Sequence, residues 1–195
     1  MIREDLKHLD GVLMTHYHND HIAGLDDIRP FNFRQKASMK VFADQDTQTI
    51  LKQKFSYIFE RDPYPGAPSV HLIDHEFSPM NIGQLHIRPF KVWHGKMPIT
   101  AYQINDLVYI TDANAIPESE IEKISNCKVL VLNALRKKEH HSHFNLEQAI
   151  ELSKSLNAET TYLLHISHYM GLHESVSKEL PENVNLAHDG LELDI

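Results

Sequence analysis

The sequence predicts a layered α/β domain, and three observations carry that expectation. Strand-like runs crowd together over residues 70–73, 85–93, 99–104 and 107–111, which reads as an antiparallel sheet. Downstream the rhythm changes to alternating helix and strand. Polar residues suited to chemistry also stand at the C-terminal ends of apolar strands, where α/β sheets place their sites.

Taken in order, residues 3–8 are charged and helix-compatible, and Asp10-Gly11 punctuates before a first strand over about 12–15. Ile22-Ala23-Gly24-Leu25 begins a short helix that Pro30 is expected to end. Residues 40–43 read as a buried strand. Asp44 then caps a helix over about 45–59, where Ile50, Leu51, Lys54 and Phe55 fall near helical period. The Pro-rich stretch 62–68 is a surface loop, with a flap near the site as the alternative. Asn105-Asp106 fits a tight hairpin turn. Beyond it come a helix (117–124), a strand (129–132), a helix (146–156) and a strand (160–165). A short helix (174–180) and a final strand pair around Leu186 and Leu191 close the chain. At 195 residues without internal repeats, residues 1–195 are expected to form one domain with a proper core.

Composition narrows the class. Hydrophobic content of 42% and charged content of 24% are those of an ordinary globular protein. A net charge of −8 argues against general DNA binding or a membrane-surface role, since both favour a basic face. The single cysteine, Cys127, rules out an internal disulfide framework and fits a reducing compartment. No apolar run approaches the ~20 residues that span a bilayer, and the first residues lack the apolar core of a signal peptide. A cytoplasmic location is expected.

The chemistry is concentrated in His16-Tyr17-His18-Asn19-Asp20-His21, directly after the apolar run Gly11-Val12-Leu13-Met14. Alternate residues leaving a strand share a face, so His16 and His18 would point together, with Asp20 and His21 turning in from the loop. Imidazole and carboxylate suit zinc, iron or manganese. In a chain with 15 histidines a His-rich surface loop is the plain alternative, but the ordered spacing is more particular than clustering. His94, Asp112 and His165 each follow an apolar strand. Singly they could be a turn residue, a helix cap and a hydrogen-bonded core histidine.

Together, H-x-H-x-D-H followed by His94, Asp112 and His165 resembles the metallo-β-lactamase superfamily. That resemblance implies an αββα sandwich and two divalent ions, Zn2+ or Mn2+ with Fe possible. His16, His18 and His94 would hold one ion, Asp20, His21 and His165 the other, and Asp112 would bridge them. An aspartate there looks like the superfamily's hydrolases and phosphodiesterases; many zinc β-lactamases carry cysteine at the equivalent position, and Cys127 does not sit there. Asn133-Ala134-Leu135-Arg136, His140-His141-Ser142-His143-Phe144-Asn145 and Leu164-His165-Ile166-Ser167-His168 are similar to PhnP-type cyclic phosphodiesterases, relatives of tRNase Z. The likeness continues to Leu186-Ala187-His188-Asp189-Gly190, where His188 replaces an expected aromatic residue and needs no functional role.

By the same resemblance, a metal-bridging hydroxide attacks a small cyclic phosphate or nucleotide-like phosphodiester. His143 protonates the leaving group, and Asp20 doubles as an orienter of the nucleophile. His140 and Arg136 are weaker candidates for contacting the phosphate or sugar, and Lys137-Lys138-Glu139 is a solvated turn. His168 occupies a position that joins N-terminal cysteines in a structural zinc site in PhnP-type enzymes. Those cysteines are missing here, so a hydrogen-bonded histidine beside the site is expected. Because the His-rich loop begins so early, the family's opening strands are expected to be absent. An uncovered sheet edge would then lower stability and favour association, with a homodimer as the form considered. The competing functions are a glyoxalase II-like thioester or lactone hydrolase, tRNase Z-like RNA processing, and an inactive metal-binding fragment.

Overall fold

In the computed structural model, which describes residues 5–193, the first half of the chain is built on three parallel strands. These are β1 (Val12–Leu13), β2 (Met39–Ala43) and β3 (Val70–Asp74), in the order β1-β2-β3. Val12 lies opposite Val41, and Val41 opposite Leu72. Central parallel strands are covered on both faces and so read as near-continuous apolar runs; β2 is buried at every position except Lys40. The strands and their connections form one compact unit, Met1–Gln84. Between β1 and β2 run a single helical turn, α1 (Asn19–Ile22), a 3₁₀ segment (Ala23–Ile28) and α2 (Arg29–Gln35). Then come α3 (Gln45–Lys54) and, after β3, the short strand β4 (Met80–Ile82). Met14, Ile22, Leu25, Phe31, Val41, Leu51 and Ile58 fill the core of this unit.

Several details correct the sequence expectations. Pro30 stands in the first turn of α2, where its missing N–H has no intrahelical partner to lose, so it starts a helix rather than ending one. The Asp44 cap is present, its Oδ1 accepting from the Thr47 N–H at 2.7 Å. The helix it starts stops at Lys54, because Phe55 leaves helical geometry and a 3₁₀ turn (Ser56–Ile58) follows, burying Ile58. β3 pairs in parallel with β2 instead of joining the antiparallel group; composition identifies a strand but not its neighbour. Residues 5–8 are not helical, and residues 3 and 4 lie outside the described residues.

The second unit, Leu85–Ile195, carries β5 (Leu85–His94), β6 (Met97–Ile104), β7 (Leu107–Ile110), β8 (Val129–Asn133), β9 (Thr160–Leu164) and β10 (Val184–Leu186). They lie in the order β10-β9-β8-β7-β6-β5, antiparallel from β5 to β7 and parallel from β7 onward. Asn105 makes the β6–β7 turn in the left-handed region (φ 50°), which asparagine tolerates. Helices α4 (Glu118–Ile124), α5 (Leu146–Ser155) and α6 (His173–Ser177) fill the connections. A reciprocal cap starts α5: Asn145 Oδ1 accepts from the Gln148 N–H and Gln148 Oε1 from the Asn145 N–H. β8 is buried throughout, in keeping with its parallel partners on both sides. The expected closing strand pair is instead β10 alone, parallel to β9; Leu191 is in no strand, because β10 finds its partner within the parallel sheet. No helix among the described residues is long and apolar enough to cross a membrane.

Two stability predictions follow from this packing. Leu51 is fully buried, so Leu51→Ala should lower the unfolding free energy by about 2–5 kcal/mol in urea titrations. In the second unit, half-buried Glu120 accepts from Arg88 Nη1 and from Lys123 Nζ. Burial alone pushes its carboxyl up, but these two cations outweigh burial and hold it below the ordinary carboxylate range. A depressed carboxyl stabilises above its unfolded pKa and loses that contribution as pH falls through the folded value. Glu120→Gln should therefore melt lower than wild type at neutral pH, and the gap should close as the medium is acidified below about pH 4.

Candidate metal centre

The first unit supplies one group of donors. The Met14 N–H donates to the Phe42 carbonyl at 2.9 Å, holding the chain beside β2 as it leaves β1. His18 is extended (φ −64°, ψ 148°) and leads directly into the single turn α1, anchored by buried Ile22. This geometry folds the hexapeptide back on itself. The His16 and His21 rings approach to 4.3 Å between centroids, and His16 Nε2 lies 3.1 Å from His18 Nδ1. His16 is buried, and the Thr15 hydroxyl engages its Nδ1 at 3.1 Å, so Nε2 is the atom directed at His18. His21 Nε2 lies 3.3 Å from the exposed Asp20 carboxylate. Nitrogen and oxygen donors gathered this closely fit a divalent metal cation.

The second unit supplies another. His94 ends β5, and its Nδ1 lies 2.9 Å from the Ser142 carbonyl. A carbonyl only accepts, so in neutral imidazole the proton sits on Nδ1 and the lone pair on Nε2, the arrangement metal-binding histidines use. Asp112 is buried beyond the end of β7; its Oδ1 accepts from the Thr111 hydroxyl at 2.9 Å and lies 3.1 Å from His165 Nε2. Its Oδ2 lies 3.7 Å from His143 Nε2. Both Asp112 (φ 57°) and His165 (φ 53°) adopt the left-handed backbone region. That region is unfavourable for a side-chain-bearing residue, and such strain persists where the surroundings enforce it.

His143 is buried among these groups. Its ring stacks parallel to His165 (5.2 Å, 10°) and edge-on to His94 (4.6 Å, 73°). On its other side Nδ1 meets the Ser142 hydroxyl and His140 Nδ1, each at 3.0 Å. His140 is held below the ordinary imidazole range, by desolvation first and then by the fields of His143, His141, Arg136 and His94. Burial, reinforced by the Asp112 carboxylate, pushes the Tyr109 phenol up.

Arg136 is turned onto its own loop, Nε donating to the Lys138 carbonyl and Nη2 to that of Glu139. Lys137 pairs with Glu179, so the 137–139 turn is tethered. The His168 ring packs on Tyr169 at 3.9 Å, while His188 is an exposed turn residue beside the Asp189 carbonyl. Two carboxamides were not singled out from the sequence. Asn114 Oδ1 accepts from the Gly95 N–H at 2.8 Å, next to His94, and fully buried Asn133 grips Ala113, next to Asp112. Only the run Asn133-Ala134-Leu135-Arg136 pointed toward the second of these.

A family model described as the Beta-lactamase superfamily domain matches residues 2–166. A solved diphosphatase from the PhnP family is 34% identical, with a TM-score of 0.90 over 100% of this chain and 74% of that one. The short form of human tRNase Z shares the fold at 15% identity, with a TM-score of 0.65 over 96% of this chain and 78% of that one. A protein of Porphyromonas gingivalis named octanoyltransferase is 36% identical over 186 residues, 94% of this chain. The chain spans only 37% of that protein's length.

Glycine at position 95 offers a test of the packing between His94 and Ser142. Its φ is +62°, and an added Cβ would meet Ser142 Cβ at 3.4 Å, whereas Gly83 has φ +59° with nothing within 4 Å. Gly83→Ala should cost the left-handed penalty of about 1–2 kcal/mol. Gly95→Ala should cost more by urea titration, the excess measuring how firmly Ser142 is held against the His94 turn.

Proposed function

We propose that this chain, which belongs to the β-lactamase superfamily and within it to the PhnP family, is a divalent-metal-dependent phosphodiesterase of small substrates. The observation that carries this reading is the constellation around Asp112: a buried carboxylate faces His165 on one oxygen and His143 on the other. By the superfamily resemblance His16, His18 and His94 would hold one ion, Asp20, His21 and His165 a second, and Asp112 both, imidazole and carboxylate being donor types that hold such cations. Bound there, divalent cations supply Lewis acidity toward phosphoryl oxygens and bring the pKa of water toward ~7.

The chain's own residues do the rest. His143 holds a proton at Nε2 for the departing oxygen, with Nδ1 supported by Ser142 and His140. Asp20, exposed beside His21, orients the attacking water. In hydrolysis the P–O bond to water forms as the P–O bond to the leaving group breaks; the leaving oxygen takes the His143 proton, the attacking water releases one proton to solvent, and His143 regains its proton from solvent before the next turnover. Arg136 shapes the 136–139 loop and His140 backs His143, so neither is assigned to the phosphate or sugar.

The diphosphatase relative widens the substrate class in a chemically consistent direction. A diester and an internal diphosphate both present a phosphorus with a bridging oxygen to a departing group; in the diphosphate that group is itself a phosphate. A second reading, acyl transfer or thioester hydrolysis, draws on the relative named octanoyltransferase. It is the weaker of the two, since most of that protein lies outside the match.

Elemental analysis alongside turnover of bis(p-nitrophenyl) phosphate, an alkyl phosphodiester, a dinucleoside diphosphate and an octanoyl thioester tests this assignment. Two ions per chain with diester or diphosphate turnover, abolished by chelation and by Asp112→Ala, is the expected result. His143→Ala should keep its metal and lose about 10²-fold or more in kcat on the alkyl diester. The loss should be much smaller with p-nitrophenolate, which departs without a proton. Thioester turnover alone would shift the assignment to acyl chemistry, and a chain that binds no metal would end it.

A further inference from the structure

The motif Asn133-Ala134-Leu135 runs off the end of β8, and each of its three residues bonds to the immediate neighbour of a residue assigned to chemistry. Asn133 Oδ1 accepts from the Ala113 N–H at 2.8 Å, and its Nδ2 donates to the Ala113 carbonyl at 3.0 Å. Ala113 follows Asp112. The Ala134 N–H donates to the Leu164 carbonyl at 3.0 Å, directly before His165. The Leu135 N–H donates to the Phe144 carbonyl at 3.0 Å, directly after His143. Two of these contacts are backbone pairs that any residue could make. The Asn133 contact alone depends on a side chain, and that side chain is fully buried.

The Ala113 carbonyl also accepts from the Phe144 N–H, at 2.8 Å. One peptide carbonyl is thus shared between Asn133 and the residue beside His143. A carboxamide is the side chain that can satisfy an N–H and a C=O of the same residue at once, because it carries an acceptor and a donor in one plane. Asp112 is left-handed immediately upstream, a conformation the chain would leave if the following residue were loose.

We propose that Asn133 is a positioning residue: by clamping both polar groups of Ala113 it enforces the left-handed turn at Asp112 and fixes that carboxylate relative to His143 and His165. The proposal rests on the reading of Asp112 as a metal ligand. It gives a function to a motif that the catalytic scheme does not use, and it makes metal affinity depend on a residue that touches no metal. Outer residues that orient a ligand in this way change affinity by roughly ten- to a hundredfold when removed.

The test is titration of the 195-residue chain with Mn2+ and with Zn2+, each metal alone, in wild type, Asn133→Ala, Asn133→Asp and Ser153→Ala. Ser153 and Thr161 share a buried hydrogen bond of 2.6 Å elsewhere in the same unit, so Ser153→Ala controls for a lost buried contact. Asn133→Asp keeps size and acceptor but lacks the donor to the Ala113 carbonyl. Both Asn133 variants should bind at least one ion roughly tenfold or more weakly, while Ser153→Ala binds as wild type does even if it melts at a lower temperature. Asn133 variants that melt lower but bind metal as tightly as wild type would overturn the proposal and leave the metal centre standing. Wild type that binds no metal would overturn both.

Discussion

Two hydrogen bonds between one buried carboxamide and the backbone N–H and C=O of one residue, Ala113, hold the ends of β7 and β8 together. Parallel neighbours such as these are joined by long connections, and their C-terminal ends must be tied by something other than a hairpin. In this unit the tie is Asn133. Without it the buried Ala113 N–H would lose its partner, at a cost of about 1–3 kcal/mol, while the Ala113 carbonyl would keep only the Phe144 N–H. The carboxamide therefore does the work of an additional ladder pair beyond the last regular residue of β7, where the chain has already turned away from the strand.

That turn explains the strain around it. Asp112 and His165 both leave the ends of neighbouring parts of the sheet in the left-handed region. A residue that continued straight along β7 or β9 would point its side chain into the packed faces above or below. Reversing φ swings the side chain off the end of the sheet instead. The penalty is small against the packing of fully buried Ile110, Leu130, Leu132 and Leu163 behind it, so the core enforces a geometry that the local sequence resists.

Much of this was legible in the sequence, for physical reasons that differ from element to element. The strands β5 to β9 and the helices α3, α4 and α5 showed themselves through apolar periodicity and, for α3, the Asp44 end signal, because those are local effects. The candidate donors could be picked out because spacing and residue type are written in the chain directly. Pairing was not: β3 reads as a strand, groups by its place in the chain with the antiparallel runs that follow it, and lies parallel to β2, since composition records burial and not the direction of a neighbour. Pro30 was misplaced for a related reason, proline being equally compatible with the first turn of a helix and with its end. Arg136 looked available for an anionic ligand, yet its guanidinium closes the 136–139 loop, a matter of rotamer and loop shape that no spacing rule contains.

The protonation pattern of the histidines lies further still from the sequence. An imidazole offers a lone pair on one nitrogen only when the other holds the proton, and a hydrogen-bond partner decides which. At His94 that partner is the Ser142 carbonyl, one residue before His143, whose own Nδ1 meets the Ser142 hydroxyl. Ser142 thus addresses two histidines with two different atoms: its carbonyl fixes the tautomer of His94 and its hydroxyl supports His143. The loop that carries His143 is pinned in turn through Phe144 to Ala113 and Leu135. The state of His94, the orientation of His143 and the turn at Asp112 are consequently set by one connected set of hydrogen bonds. Residues 142–144 are the stretch of backbone common to all three.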